Sequence, residues 1–135
     1  MTKEAHLRGE FIMVARILVG LMAAFFFAMG LLFWFQIDAQ TAQFQIKAAG
    51  ALGNASIRAD FGAFFLSVGI FCGYASWKQS GGAAAAAALL FGLALLGRAM
   101  TLILEGSAPG AIPPMVVEAV SVAILLWARK GWSKA

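Results

Sequence analysis

Gly53-Asn54-Ala55-Ser56-Ile57-Arg58-Ala59-Asp60-Phe61-Gly62-Ala63-Phe64-Phe65-Leu66 reads as a polar turn that becomes an apolar helix. An arginine and an aspartate sit at the change. Two ionised groups at the mouth of a hydrophobic segment are costly unless they are paired or wetted. The first question is therefore which solvent, water or lipid, this segment meets.

Composition around the stretch answers it. The chain has 135 residues, enough for one domain, and is 62% apolar and 12% charged. Ordinary soluble domains run at roughly 45–50% and 25%. So apolar a chain has too little polar surface to cover itself, and a bilayer is the expected solvent. The net charge of +4 does not point to nucleic acid. Its basic residues collect at the chain ends and in one turn, with no stripe to track a phosphate backbone. One cysteine, Cys72, leaves no internal disulfide and no Cys-cluster metal site, and its apolar run makes it a packing residue. With a single histidine, His6, in a polar terminus, neither a metal nor a cofactor is expected. There is no phosphate loop, nucleophile elbow or Ser-His-Asp set, so no catalytic residue is assigned.

Upstream of the stretch, the polar residues Met1–Glu10 give way to an apolar run interrupted only by Arg16. Ile17–Phe35 spans roughly 28 Å as a helix, about one hydrocarbon core. Arg16 then lies at the boundary, where its stem can carry the guanidinium back to the headgroups. The run is too long for a secretory signal, and it ends in Phe33-Trp34-Phe35, an aromatic interface anchor. Residues 36–56 form a long polar connection, a length that implies a short interfacial helix or a lid. Gly50, Gly53 and Asn54 break the chain there, and Asn54 or Ser56 is a natural N-cap for the next helix. Asn54-Ala55-Ser56 also fits the glycosylation sequon, but such short matches arise by chance and capping is the stronger reading.

The second span is expected over 57–77, where Asp60, Ser67 and Tyr74 recur every seven residues and share a face. After a tight turn at Lys78–Gly82, the third span covers 83–104, with Arg98, Thr101 and Glu105 on one side. Pro113-Pro114 suits the first turn of a fourth helix over 112–127, which carries Glu118. The expected fold is all-α, a four-helix transmembrane bundle in one domain.

Four spans put both termini on one side together with the turn at Lys78. That side holds Lys3, Arg8, Arg16, Lys78, Arg129, Lys130 and Lys134, leaving Lys47, Arg58 and Arg98 opposite. The positive-inside rule makes the termini cytoplasmic, which in a bacterium means a multi-pass protein of the inner membrane. Arg58, Asp60, Arg98, Glu105 and Glu118 then gather at one level in the outer half of the membrane. They form either a dry clamp that fixes helix neighbours or the lining of a polar pocket walled by Phe61, Phe64 and Phe65.

Asn54-x-x-x-Arg58-Ala59-Asp60-Phe61-Gly62, a Gly-rich span, an Arg late in the third helix and a Glu early in the fourth resemble a known pattern. It is that of a family of small four-helix bacterial membrane proteins known as domain of unknown function 4345. The resemblance covers nearly the whole chain and implies fold and membrane location. It carries no activity and no site residue.

The leading expectation is a non-enzymatic membrane protein whose cluster binds a lipophilic or amphipathic small molecule or a partner protein. Its binding residues would be Arg58, Asp60, Tyr74, Arg98, Glu105 and Glu118, with membrane lipids as neighbours and a homo-oligomer as an option. One rival is a membrane enzyme acting on a lipid, with Asp60 or Glu118 as acid or base and Arg58 or Arg98 stabilising negative charge. The other is an oligomeric proton-coupled or multidrug transporter with Asp60 or Glu118 as the proton site.

The split of basic residues generates a topology prediction. In a Cys72→Ser background, single cysteines at Gln43 and Ser107 should react with a membrane-impermeant thiol reagent on intact cells. One at Ser80 should stay unlabelled, and the reverse pattern would invert the orientation.

Overall fold

Thr2 starts the first helix: its Oγ1 accepts from the Ala5 amide at 3.2 Å, satisfying one of the donors a helix leaves free at its N-terminus. The computed structural model describes residues 2–106 and 108–132. Lys134 and Ser107, both used in the topology reading, lie outside the described residues. Helix α1 runs Lys3–Phe35, a short α2 Ile37–Gln43, α3 Gly50–Lys78, α4 Gly81–Glu105 and α5 Ile112–Trp132. No strand occurs among the described residues. Four of these helices are long and apolar enough to cross a membrane.

Their outer surface confirms the choice of solvent. Leu21, Leu89, Leu96 and Ile103 are each more than half exposed, and large apolar side chains cover the outward faces of all four long helices. A soluble protein keeps such patches small. The chain is built as a multi-pass membrane protein.

The helices extend past the expected apolar spans. Hydropathy reports where lipid begins, whereas the helix continues for as long as its backbone bonds and caps are met. Thus α1 starts at Lys3 rather than Ile17, and α5 continues to Trp132. The break expected at Gly53-Asn54 is absent. Instead α3 begins at Gly50, whose φ of +69° is available to glycine, after Ala49, which provides no side-chain cap. Asn54 and Ser56 lie inside the helix, and the Ser56 hydroxyl donates to the Leu52 carbonyl at 3.1 Å, which satisfies it without a cap. Between α3 and α4 only Gln79 and Ser80 intervene. Gln79 takes the left-handed conformation (φ 51°), and Ser80 Oγ caps α4 by accepting from the Ala83 amide at 3.1 Å.

Helix α1 packs against α3 and α5, and α4 packs against the same two, so the four long helices form a closed ring. The α1–α3 seam is the tightest. Added to Gly69, a Cβ would lie 2.7 Å from the Phe27 amide nitrogen, and at Gly30 it would lie 2.6–2.9 Å from Leu66. Lipid tails are as apolar as the helices, so little hydrophobic gain comes from helix contact in a bilayer. Close approach through small residues supplies the attraction instead.

Reciprocal bonds close both ends of the seam. At one, Arg16 Nε donates to the Ser76 carbonyl at 3.1 Å and Ser76 Oγ donates to the Arg16 carbonyl at 2.8 Å. Arg16 Nε is therefore committed to a neighbouring helix. At the other end, Arg58 Nε donates to the Trp34 carbonyl at 2.9 Å and Trp34 Nε1 donates to the Arg58 carbonyl at 3.2 Å.

Gly69→Ala should lower stability by about 1–3 kcal/mol, because its Cβ would strike backbone that cannot step aside. Gly92→Ala, in open space on α4, should raise it by up to about 1 kcal/mol through helix propensity. Chemical unfolding of both variants in the same detergent measures the contrast, and equal effects would refute the tight seam.

Candidate functional site

Arg58–Gly62 winds as a π-helix inside α3. Such wide turns commonly mark functional positions, and they push carbonyls away from the helix axis. Here the Arg58 carbonyl receives the Trp34 indole. Gly62 makes room for it, since a Cβ there would sit 2.4 Å from Trp34 Nε1. One side of Arg-Ala-Asp-Phe-Gly is thus a socket for Trp34. The other side opens inward: Asp60 and Phe61 line a cleft of about 440 Å³ between the helices.

The wall of that cleft is aromatic. Phe33 stacks on Phe61 and Phe65 with ring centroids at 5.3 and 5.4 Å, and Phe26 meets Phe91 at 4.7 Å. Phe44, just beyond α2, closes over them at 5.5 Å from Phe33 and 6.1 Å from Phe65. Helix α2 holds that ring in place, with Ile37, Gln40 and Thr41 buried beneath it and the Ile46 amide donating to the Thr41 carbonyl at 2.8 Å. The expected short helix therefore exists, and its end contributes to the wall. Phe61, Phe64 and Phe65, named as wall residues from the sequence, all line the cleft.

Polar groups meet at the far rim. Arg98 of α4 donates through Nε to Oε1 of Glu118 on α5, forming an ion pair across the two helices. The Glu118 side chain is 8% exposed and the Arg98 side chain 32%. Glu118 Oε2 is buried and finds no donor among the described residues. Arg98 also borders a second hollow of about 350 Å³, which shares Gln43, Phe44, Pro113 and Pro114 with the first and continues outward past Pro109 and Gly110. The two hollows thus adjoin at Arg98, and the aromatic lining belongs mainly to the first.

Of the six binding residues expected from sequence, Asp60, Arg98 and Glu118 come together at the cleft. The other three stand apart from it. Arg58 is engaged with Trp34. Glu105 is the last residue of α4, about 10 Å along the axis from Arg98, and is exposed with no hydrogen bond or ion pair among the described residues. Tyr74 is 52% exposed beside Ile70, Phe71 and Trp77 on the outward face of α3. Its seven-residue relation to Asp60 assumed an unbroken α-helix. The π segment places extra residues per turn between them, so faces before and after it fall out of register.

Sequence reasoning missed Gln43 and Phe44, which lie in a connection with no periodicity, and the Trp34 socket. A signal for the socket was available: Gly62 is the one residue without a side chain in the bulky run Phe61–Leu66, which marks a close approach. Chemically the cleft offers one guanidinium, two carboxylates and the Gln43 amide above an apolar wall. No group of three or more His, Cys, Asp or Glu is placed to hold a metal ion among the described residues.

The ion pair is expected to couple energetically. Arg98→Met and Glu118→Gln should each cost about 2–3 kcal/mol, toward the low end for breaking a buried pair because Arg98 is partly exposed. The double variant should recover much of the sum. Unfolding of the four proteins in one detergent measures it, and additive losses would show that the residues do not couple.

No curated protein and no solved structure matches the chain. A profile of the family described as Domain of unknown function (DUF4345) matches residues 14–129, from within α1 to the last turn of α5, and so takes in the socket, the aromatic wall and the ion pair. The chain belongs to the DUF4345 family.

Proposed function

We propose that this protein is a non-enzymatic binder of an amphipathic, lipid-like molecule, held with its chain among the phenylalanines and its headgroup at the Arg98–Glu118 rim. The observation that carries this reading is the combination in one cleft of an aromatic wall with a charged rim. Apolar cavities with a few convergent polar groups are the usual form of small-molecule sites. A volume of about 440 Å³ suits a single acyl chain or a compact ring system.

The cleft lies toward the end of the bundle where α1 finishes and α3 and α5 begin, away from both termini. With the termini cytoplasmic, as the basic residues indicate, the rim faces the outer leaflet of a bacterial inner membrane. A lipid entering from that leaflet would meet Pro109–Ala111 and Gln43 first and the rings last.

Full-length protein extracted in mild conditions should retain an amphiphile detectable by native mass spectrometry and lipidomics. Ala94→Phe adds bulk to the cleft lining without altering its charge, and should reduce occupancy about tenfold or more, the effect of losing one well-packed contact region. Unchanged retention in a folded Ala94→Phe protein would place the bound molecule elsewhere and end this reading.

A further inference from the structure

The unpartnered oxygen of Glu118 defines what the headgroup must be. Oε1 is taken by Arg98, while Oε2 is buried and has no donor among the described residues. A buried acceptor without a donor carries the full cost of its lost water, and native structures rarely tolerate one without a reason. The Glu118 side chain that carries it lines the same cleft as Asp60, whose carboxylate has no ion pair or hydrogen bond among the described residues. The charged lining is therefore one guanidinium, bonded through Nε to Glu118, against two carboxylates.

Headgroup classes fare differently against that lining. A carboxylate or a bare phosphate adds negative charge to a negative site and supplies no donor to Oε2. A hydroxyl supplies the donor but leaves the charge uncompensated. A protonated primary amine supplies both, with three N–H donors on one positive centre, in a cleft whose lining includes the aromatic rings of Phe44 and Phe61, which favour a cation. We infer that the cleft selects amphiphiles whose headgroup carries a protonated primary amine. The ammonium is set on Glu118 Oε2 in the field of Asp60, and the hydrocarbon chain runs along the phenylalanines. This assignment rests on the cleft being an amphiphile site, and it adds the chemical class.

The amine could belong to a free long-chain amine or to an aminoethyl phospholipid, so the test includes both. Full-length protein in phosphatidylcholine nanodiscs is titrated with dodecylamine, dodecanol and dodecanoate. It is also titrated with two lysophospholipids that differ only in an aminoethyl or a trimethylaminoethyl head, and occupancy is read by native mass spectrometry. Dodecylamine should bind about tenfold or more tighter than dodecanoate, the effect of one charge-assisted hydrogen bond. The aminoethyl lipid should bind more tightly than its trimethylated counterpart, which keeps the charge but has no N–H. Whether dodecylamine or the aminoethyl lipid binds better identifies the source, and either supports the amine. Glu118→Gln and Asp60→Asn should each shrink the amine preference, and if Glu118→Gln fails to fold, the exposed Asp60→Asn carries the comparison. Equal or tighter binding of dodecanoate overturns the amine assignment while leaving the cleft a binding site. Absence of binding by every amphiphile overturns both.

Discussion

The seam between α1 and α3 is the constraint on which the rest of the molecule depends. Each end is closed by an arginine that donates to a carbonyl on the other helix and receives a bond at its own carbonyl, from Ser76 or from Trp34. Between the two clasps, Gly30 and Gly69 bring the backbones together. In lipid an unsatisfied guanidinium is expensive, so each clasp meets part of that need at Nε and fixes the axial register of the pair. Register matters because Phe26 and Phe33 come from one helix and Phe61 and Phe65 from the other. A slip of one turn, about 5.4 Å, would separate rings that now lie 5.3–5.4 Å apart.

The Arg58–Gly62 segment serves the seam and the cleft at once. Residues four apart on a helix share a face and residues two apart point roughly opposite ways, so Arg58 and Gly62 turn to Trp34 while Asp60 turns away from it. Arg58 and Gly62 belong to the scaffold, and Asp60 and Phe61 border the cleft. Mixed charge at the head of an apolar helix, puzzling in the sequence alone, is a consequence of that division.

The sequence displayed the features that depend on solvent and depth. Four apolar spans and the common level of Arg98 and Glu118 followed from hydropathy and from axial rise, which are local quantities. Tyr74 and the Asn54 cap were misplaced because both readings assumed ideal α geometry with its usual start signals. Nothing in Arg-Ala-Asp-Phe-Gly by itself announces a π turn, and Gly50 begins the helix without a capping side chain. Phe44 was invisible for a different reason. Its position depends on how α2 folds back on Phe33, a long-range contact that no period in the chain encodes.

Clamp and pocket were the two readings of the charged level, and the geometry assigns residues to them separately. Arg16 and Arg58 do the clamping, with partners on backbone and without carboxylates. Arg98–Glu118 also joins two helices, but a clamp has no need of its other features. A buried ion pair is often no more stabilising than well-packed apolar residues of the same volume. A pair kept for cohesion alone would be expected to satisfy both carboxylate oxygens and to pack without a void. This one leaves Oε2 without a donor among the described residues and borders a cleft of about 440 Å³. Cohesion accounts for the two clasps, and the proposed amphiphile accounts for the acidic rim over the phenylalanines.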